Sequence, residues 1–246
     1  MILFSLGWEL FYGDYLYLIV LQMGHNIFVS YKYKDTNVRP LPGVSPYTWG
    51  RDYVDILETL LSDNGHVYCG EKGDDDLSDK SDEYIYSHLK KMIWPTTCTI
   101  VLISAGMKNP NSYDKSQWIP WEIYYSIKEI PTDRGTSHRN GVIGVVIPDR
   151  AGSYEYAISQ GYCCESPCRI IKREWMFNIL KQNMFNRKQS STYKCENGDT
   201  IWRGECSYIS LVKWDDFITN INYYIQRAEE KKEHWEDFDL HISVNA

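Results

Sequence analysis

Apolar positions recur along this chain in two alternating rhythms, short unbroken runs and helical spacings. Residues 25–31 form the first run, a buried strand that ends in polar residues. Val54, Leu57, Leu60 and Leu61 then recur at helical spacing, and Asn64-Gly65 supplies a stop. Residues 66–69 make a short second strand, and Ile85, Leu89, Met92 and Ile93 share one face of a second helix. Residues 98–104 are almost continuously apolar, the mark of a central strand in a parallel sheet covered on both faces. Ser116 is placed to cap a helix from Gln117 to about Ile130. Residues 141–147 predict a fourth strand and residues 207–212 a fifth, followed by one last helix from Trp214 to about Glu233. Strands alternating with helices predict an α/β fold with a doubly wound, mostly parallel sheet. Ligands of such sheets sit beyond the carboxyl ends of the strands, where the strand order reverses. That rule directs attention to Ser30-Tyr31, to the loop after Cys69 and to Ser104.

Between these elements lie three less regular stretches. Residues 32–49 contain three prolines and two lysines and read as an exposed loop. Residues 71–82 carry Asp74, Asp75, Asp76, Asp79 and Asp82; without a closing glutamate at calcium-loop spacing, a solvated acidic loop is the expectation. Residues 151–206 form an irregular insertion whose clearest helix spans 173–185. Neither a dinucleotide fingerprint nor a P-loop occurs, and there is no internal repeat. Residues 1–23 read as an N-terminal extension, with Met23 an alternative start. Their uninterrupted apolar stretch is far short of the roughly 20 residues a membrane helix needs, and no basic segment precedes it as in a secretory signal. Residues 24–246 are then expected to form the folded domain.

Composition narrows the function classes. A chain of 246 residues, 43% apolar and 24% charged, is long enough to bury a sizeable core. Its net charge of -7 removes the field that would gather nucleic acid or anionic lipid. Seven cysteines, odd in number and irregular in spacing, fit free thiols in the reducing cytoplasm. Cys164, Cys168, Cys195 and Cys206 lack a nearby histidine, so no metal site is expected. The aromatic share, 15% with 20 Tyr and 9 Trp, is high enough to serve a core, a stacked planar ligand, or both.

The most informative segment is Ser116-Gln117-Trp118-Ile119-Pro120-Trp121-Glu122. Trp118 and Glu122 are four apart, so a helix stacks them on one face one turn apart. Pro120 falls in the first turn, where its missing N–H costs little. A carboxylate beside an indole at the sheet's ligand edge can stabilise a cationic transition state at a sugar carbon. On pattern alone the commoner arrangement has both tryptophans anchoring the helix and Glu122 as a solvated surface acid.

Four segments carry a resemblance. They are His25-Asn26-Ile27-Phe28-Val29-Ser30-Tyr31, Leu77-Ser78-Asp79-Lys80-Ser81-Asp82-Glu83, the strand Thr99-Ile100-Val101-Leu102-Ile103-Ser104 followed by Trp118 and Glu122, and the closing stretch from Ser207-Tyr208-Ile209 to Trp214-Asp215-Asp216-Phe217. In this order they resemble a Toll/interleukin-1 receptor (TIR) domain, and more closely the bacterial TIR-like proteins typified by the Thoeris anti-phage sensor subunit. The resemblance covers most of residues 25 to 230.

It implies a flavodoxin-like, doubly wound α/β sheet with C-terminal elaborations. It also implies cleavage of the nicotinamide–ribose bond of NAD, with Glu122 matching the family's catalytic glutamate. Ser30 and Tyr31 match the position that lines the nucleotide pocket, Lys80 the loop that covers the site and mediates assembly, and Trp118 a ring able to stack on the substrate. NAD is then the substrate, with no resident cofactor. The implied partners are a phage-derived trigger, other copies through TIR–TIR contacts, and an effector addressed by a diffusible, cyclic or linear, ADP-ribose signal. Nucleic acid and membrane are not among them. Two other readings stand beside this one: a non-catalytic TIR interaction module, and a nucleoside-bond enzyme such as a deoxyribosyltransferase.

Overall fold

In the computed structural model the described residues are 24–44, 47–70, 81–129, 131–132, 135–136, 138–163 and 166–244. Five strands make one parallel sheet: β1 (Asn26–Ser30), β2 (Val67–Tyr68), β3 (Cys98–Ile103), β6 (Gly141–Val146) and β11 (Ser210–Lys213), in the spatial order β2-β1-β3-β6-β11. Six antiparallel strands stand outside it as three hairpins. They are β4 (Pro131–Thr132) with β5 (Gly135–Thr136), β7 (Ile158–Cys163) with β8 (Ser166–Ile171), and β9 (Ser191–Lys194) with β10 (Thr200–Arg203). Renumbered within the sheet, the order is 2-1-3-4-5, the flavodoxin-like arrangement, and its reversal falls between β1 and β3. The expected fold class is therefore the observed one.

The helices cover both faces, as an all-parallel sheet demands. On one face, α1 (Gly50–Asp63) and α6 (Ile221–Glu233) enclose Ile27, Val29, Ile100 and Leu102 with their own Tyr53, Leu57, Ile221 and Ile225. On the other lie α2 (Asp82–Ile93), α3 (Trp118–Ile127) and α4 (Asn178–Gln182). There Val101 and Ile103 meet Ile119, Ile123, Phe177 and Leu180, while Phe28 meets Leu89 and Ile93. Side chains alternate along a strand, so Ser30 shares the face of Phe28 and points towards α2 and α3. Every residue of β3 is buried, which explains its nearly unbroken apolar run. No described helix is long and apolar enough to cross a membrane.

Several elements depart from the sequence-based expectation. The last helix is broken: α5 (Trp214–Phe217) ends, and α6 begins after Asn220, whose φ of -153° interrupts the winding. Trp214, Phe217, Ile221, Ile225 and Ala228 keep one helical spacing across the break, so periodicity alone does not reveal it. The hydroxyl of Thr219 donates to the carbonyl of Asp216 at 2.7 Å, the local competition that makes Thr and Asn poor helix interiors. The helix expected over residues 173–185 shrinks to α4. Met176, Phe177, Ile179, Leu180 and Met184 are all buried, so this segment is packed on nearly every side and winds as turns around its short helix.

The fifth strand starts at Ser210 because the preceding N–H groups find other acceptors. Tyr208 donates to the Asn186 side chain at 2.9 Å and Ile209 to the Asn183 carbonyl at 3.0 Å. The helix after Ser116 runs only to Ile127 and has Gln117 as its N-cap. Ser116 instead closes a 3-10 turn, Asp114–Ser116, by donating to the Tyr113 carbonyl.

The segment 32–49 is not a loose exposed loop. Asp35, Val38 and Thr48 are buried, and Arg39 makes a two-pronged contact with Asp215 at 2.8 and 3.1 Å. Lys80 and the acidic residues 74, 75, 76 and 79 lie outside the described residues. Cys69, Cys98, Cys168 and Cys206 are free thiols, and no group of three potential metal ligands occurs among the described residues.

Candidate active site

The chain passes from β1 to β2 on one side and later to β3 on the other, so the crevice of this sheet opens above the carboxyl ends of β1 and β3. Ser30 is the last residue of β1, with no exposed surface, and its Oγ donates to Glu122 Oε2 at 2.6 Å. Residues 92 positions apart are thereby joined at the reversal point of the sheet. A hydroxyl-to-carboxylate bond of this length is charge-assisted and directional, and it aims the carboxylate.

Glu122 is the fifth residue of α3, so it stands beyond the first turn, where the helix dipole acts most strongly. The helix is held from beneath. Ile119, Ile123 and Ile127 are buried against β3 and β6. The Ser126 hydroxyl donates to the Glu122 carbonyl at 2.8 Å and lies 2.8 Å from the Thr99 hydroxyl. Asn140 donates to Thr96 and Thr99 Oγ1 at 2.7 and 2.9 Å, completing a buried polar knot under the helix. Such a satisfied network fixes the helix in register with β3, because any slip would strand polar groups away from water.

The two tryptophans of the segment have separate tasks. Trp121 packs 4.8 Å from the Tyr86 ring and donates its indole N–H to the Lys115 carbonyl at 2.8 Å, so it is the anchor. Trp118, one turn before Glu122, is 40% exposed, so part of its surface is open to solvent. Tyr31 follows Ser30 and accepts from Arg51 at 3.3 Å. Its ring lies 6.3 Å from Tyr33, and Tyr33 lies 6.3 Å from Trp49, so three rings run outward from the end of β1.

The crevice lip is laced by groups that periodicity could not single out. The buried carboxylate of Asp35 accepts from Asn37 N at 2.9 Å and Gly106 N at 3.0 Å. Lys32 Nζ donates to the Gly106 carbonyl at 2.7 Å. The loop after β1 is thus bound to the loop after β3. A Cβ on Gly106 would stand 2.4 Å from Asp35 Oδ1, so the close approach requires glycine. Tyr33, Asp35, Trp49 and Gly106 are the residues that sequence reasoning missed at this site. No local signal singled them out, since the loop of residues 32–49 is about as aromatic as the chain as a whole.

Ser30, Tyr31, Trp118 and Glu122 are therefore at one edge of the sheet, with Ser30 and Glu122 in direct contact and Trp118 one helical turn away. A flavodoxin-like parallel sheet, with a carboxylate from the helix after its third strand set against the end of its first, fits a TIR-like protein. The family model for the TIR-like domain of Thoeris protein ThsB matches residues 28–151, half of the chain. The chain belongs to this family, the TIR module of an anti-phage defence system. The match takes in the end of β1, then α3 and β6, and stops before the two hairpins that follow. No solved structure matches the chain significantly.

Proposed function

We propose that this protein cleaves the nicotinamide–ribose bond of NAD and releases an ADP-ribose-derived signal. The observation that carries the reading is the 2.6 Å contact between Ser30 and Glu122 at the switch point of the sheet. Nicotinamide in NAD is a pyridinium, so the breaking C–N bond returns its electron pair to the ring and a neutral molecule leaves. No general acid is needed. Positive charge develops on the ribose as an oxocarbenium-like centre, and the ionised Glu122 stabilises it while accepting from the ribose hydroxyls. Ser30 keeps the carboxylate aimed. Trp118 supplies a planar face for a ring of the substrate, and Tyr31 lines the nucleotide side.

Capture of the ribosyl cation by water adds hydroxide to the anomeric carbon, releases a proton and gives linear ADP-ribose. Capture by a nucleophile within the same molecule gives a cyclic product, which we take as the signal that reaches a separate effector. NAD is the substrate, and the reaction takes no resident cofactor or metal. In this reading the protein works in the cytoplasm, answers a phage-derived trigger and completes its site by TIR–TIR association, with Lys80 in the covering loop.

The test is mass spectrometry of small molecules from cells making the protein, with and without phage, beside the Glu122→Gln variant. Loss of NAD with a new ADP-ribose species, both absent in the variant, is the expected result. Unchanged NAD under several phages, with abundant folded protein, would refute catalysis and leave an interaction module.

A further inference from the structure

A cavity of about 670 Å³ opens at the opposite edge of the sheet from Glu122, lined, apart from Arg139, by residues that follow the family match. Its size lies in the range of sites that take a small organic ligand. Arg139, on its wall, precedes the amino end of β6, whereas Ser30 and Glu122 lie at the carboxyl end of β1. No residue named at the candidate active site lines this cavity.

The lining has a definite chemistry. Arg139, Arg173 and Lys188 contribute three cations against one exposed carboxylate, Asp239. The Arg139 guanidinium lies 3.9 Å from the centre of the Trp235 ring, and that of Arg173 lies 5.2 Å from the Phe185 ring. Both arginines are therefore backed by an aromatic plate that orients them. Arg139 also pairs with Glu129, and Arg173 donates to the carbonyls of Lys181 and Met184 at 3.0 and 3.2 Å. Lys188 is exposed at the rim. His241 is pinned to the wall through its backbone, whose N–H and carbonyl meet the Asn183 side chain at 3.0 and 2.9 Å. The buried atoms His241 Nε2 and Arg139 Nε meet no hydrogen-bond partner among the described residues.

Phe185 adds an independent mark. Its φ of 54° places it in the left-handed region, the sole non-glycine there among the described residues. A bulky side chain in that region is strained, and glycine or asparagine would serve better. Phe185 lines the cavity while its ring packs 5.3 Å from Trp202, and backbone outliers of this kind gather at binding sites.

We infer that this cavity binds a phosphorylated aromatic ligand of mononucleotide size, with the Arg139, Arg173, Lys188 and His241 groups meeting the phosphate and the Trp235 and Phe185 region receiving the planar ring. The site is separate from the one proposed to cleave NAD and makes no use of Glu122, so the two readings stand or fall apart.

The experiment is calorimetric titration of the full chain with AMP, adenosine and inorganic phosphate. The same titrations are run on the Lys188→Glu and His241→Ala variants, with melting curves to confirm that each folds. AMP should saturate one site per chain. Adenosine and inorganic phosphate should each bind at least about tenfold more weakly, because each lacks half of the recognised chemistry. Lys188→Glu should weaken AMP by about tenfold or more, and His241→Ala in the same direction. Three results would overturn the proposal: no saturable AMP binding up to millimolar concentration, AMP binding unaltered in both folded variants, or inorganic phosphate binding as tightly as AMP.

Discussion

Replacing Ser30 by alanine isolates the contact on which the proposed chemistry depends. The side chain is wholly enclosed at the end of β1, and alanine retains its Cβ while removing only the hydroxyl that meets Glu122 at 2.6 Å. A hydrogen bond to a charged group contributes about 1.5–3 kcal/mol. Glu122 is only half-buried, so water replaces the lost donor and the fold should lose no more than about 1 kcal/mol. Catalysis should suffer more, because a carboxylate held by water no longer sits where charge develops. At about 1.4 kcal/mol per factor of ten, kcat/KM for NAD should fall by about 10- to 100-fold. The loss should appear in kcat with KM little changed, as for an interaction realised in the transition state. Nicotinamide release followed chromatographically, beside urea denaturation of the same sample, reads both quantities. A Ser30→Ala protein whose kcat/KM stays within about threefold of wild type, while Glu122→Gln is folded and inactive, would refute any role for the contact in aiming the carboxylate.

Three further outcomes follow from other parts of the molecule. Trp118→Ala removes an indole already 40% exposed, so its melting temperature should barely move while KM for NAD rises by about 2- to 10-fold, the worth of one stacked ring. A drop of several degrees with unchanged KM would make Trp118 a structural residue. Gly106→Ala places a methyl 2.4 Å from Asp35 Oδ1 and should cost about 1–3 kcal/mol in urea denaturation; wild-type stability would show that the two loops are not bound as described. Burial pushes the Lys231 ammonium down to about 8, although Glu205 lies 4.0 Å away and Ser210 Oγ at 2.9 Å. Between that value and 10.5 the unfolded chain holds a proton that the folded chain has shed, so this group makes wild-type stability rise with pH across the window. Lys231→Met lacks the group, and its stability relative to wild type should decline by up to about 3 kcal/mol from pH 7 to pH 10.5. A flat difference between the two denaturation series would contradict the burial.

Elements set by local pattern could be read from the chain. The β3 run is nearly all apolar because helices cover both its faces, and α1 is legible because Tyr53, Val54, Leu57 and Leu61 return every turn before Asn64 and Gly65 stop it. Elements whose ends depend on distant acceptors could not. The Tyr208 and Ile209 N–H groups leave the strand pattern for Asn186 and Asn183, and Thr219 breaks the last helix within an uninterrupted apolar spacing. The candidate site divides in the same way. Trp118 and Glu122 share a face because both belong to one helix, a relation contained in four positions of sequence. Which of two neighbouring tryptophans would anchor that helix depended on Tyr86 and the Lys115 carbonyl.

Composition, periodicity and the order of the segments were enough for the α/β class, the direction of the sheet and the helix that bears the carboxylate, since these rest on local spacing and on which faces must be covered. The hydroxyl that meets the carboxylate comes from 92 positions away. Asp35 locks against Gly106 across 71 positions, and Arg139 faces Phe185 and Trp235 over one cavity. None of these pairings leaves a periodic trace, because each depends on how separate elements dock. They exist only once the apolar faces have packed and brought the polar groups on their margins within reach.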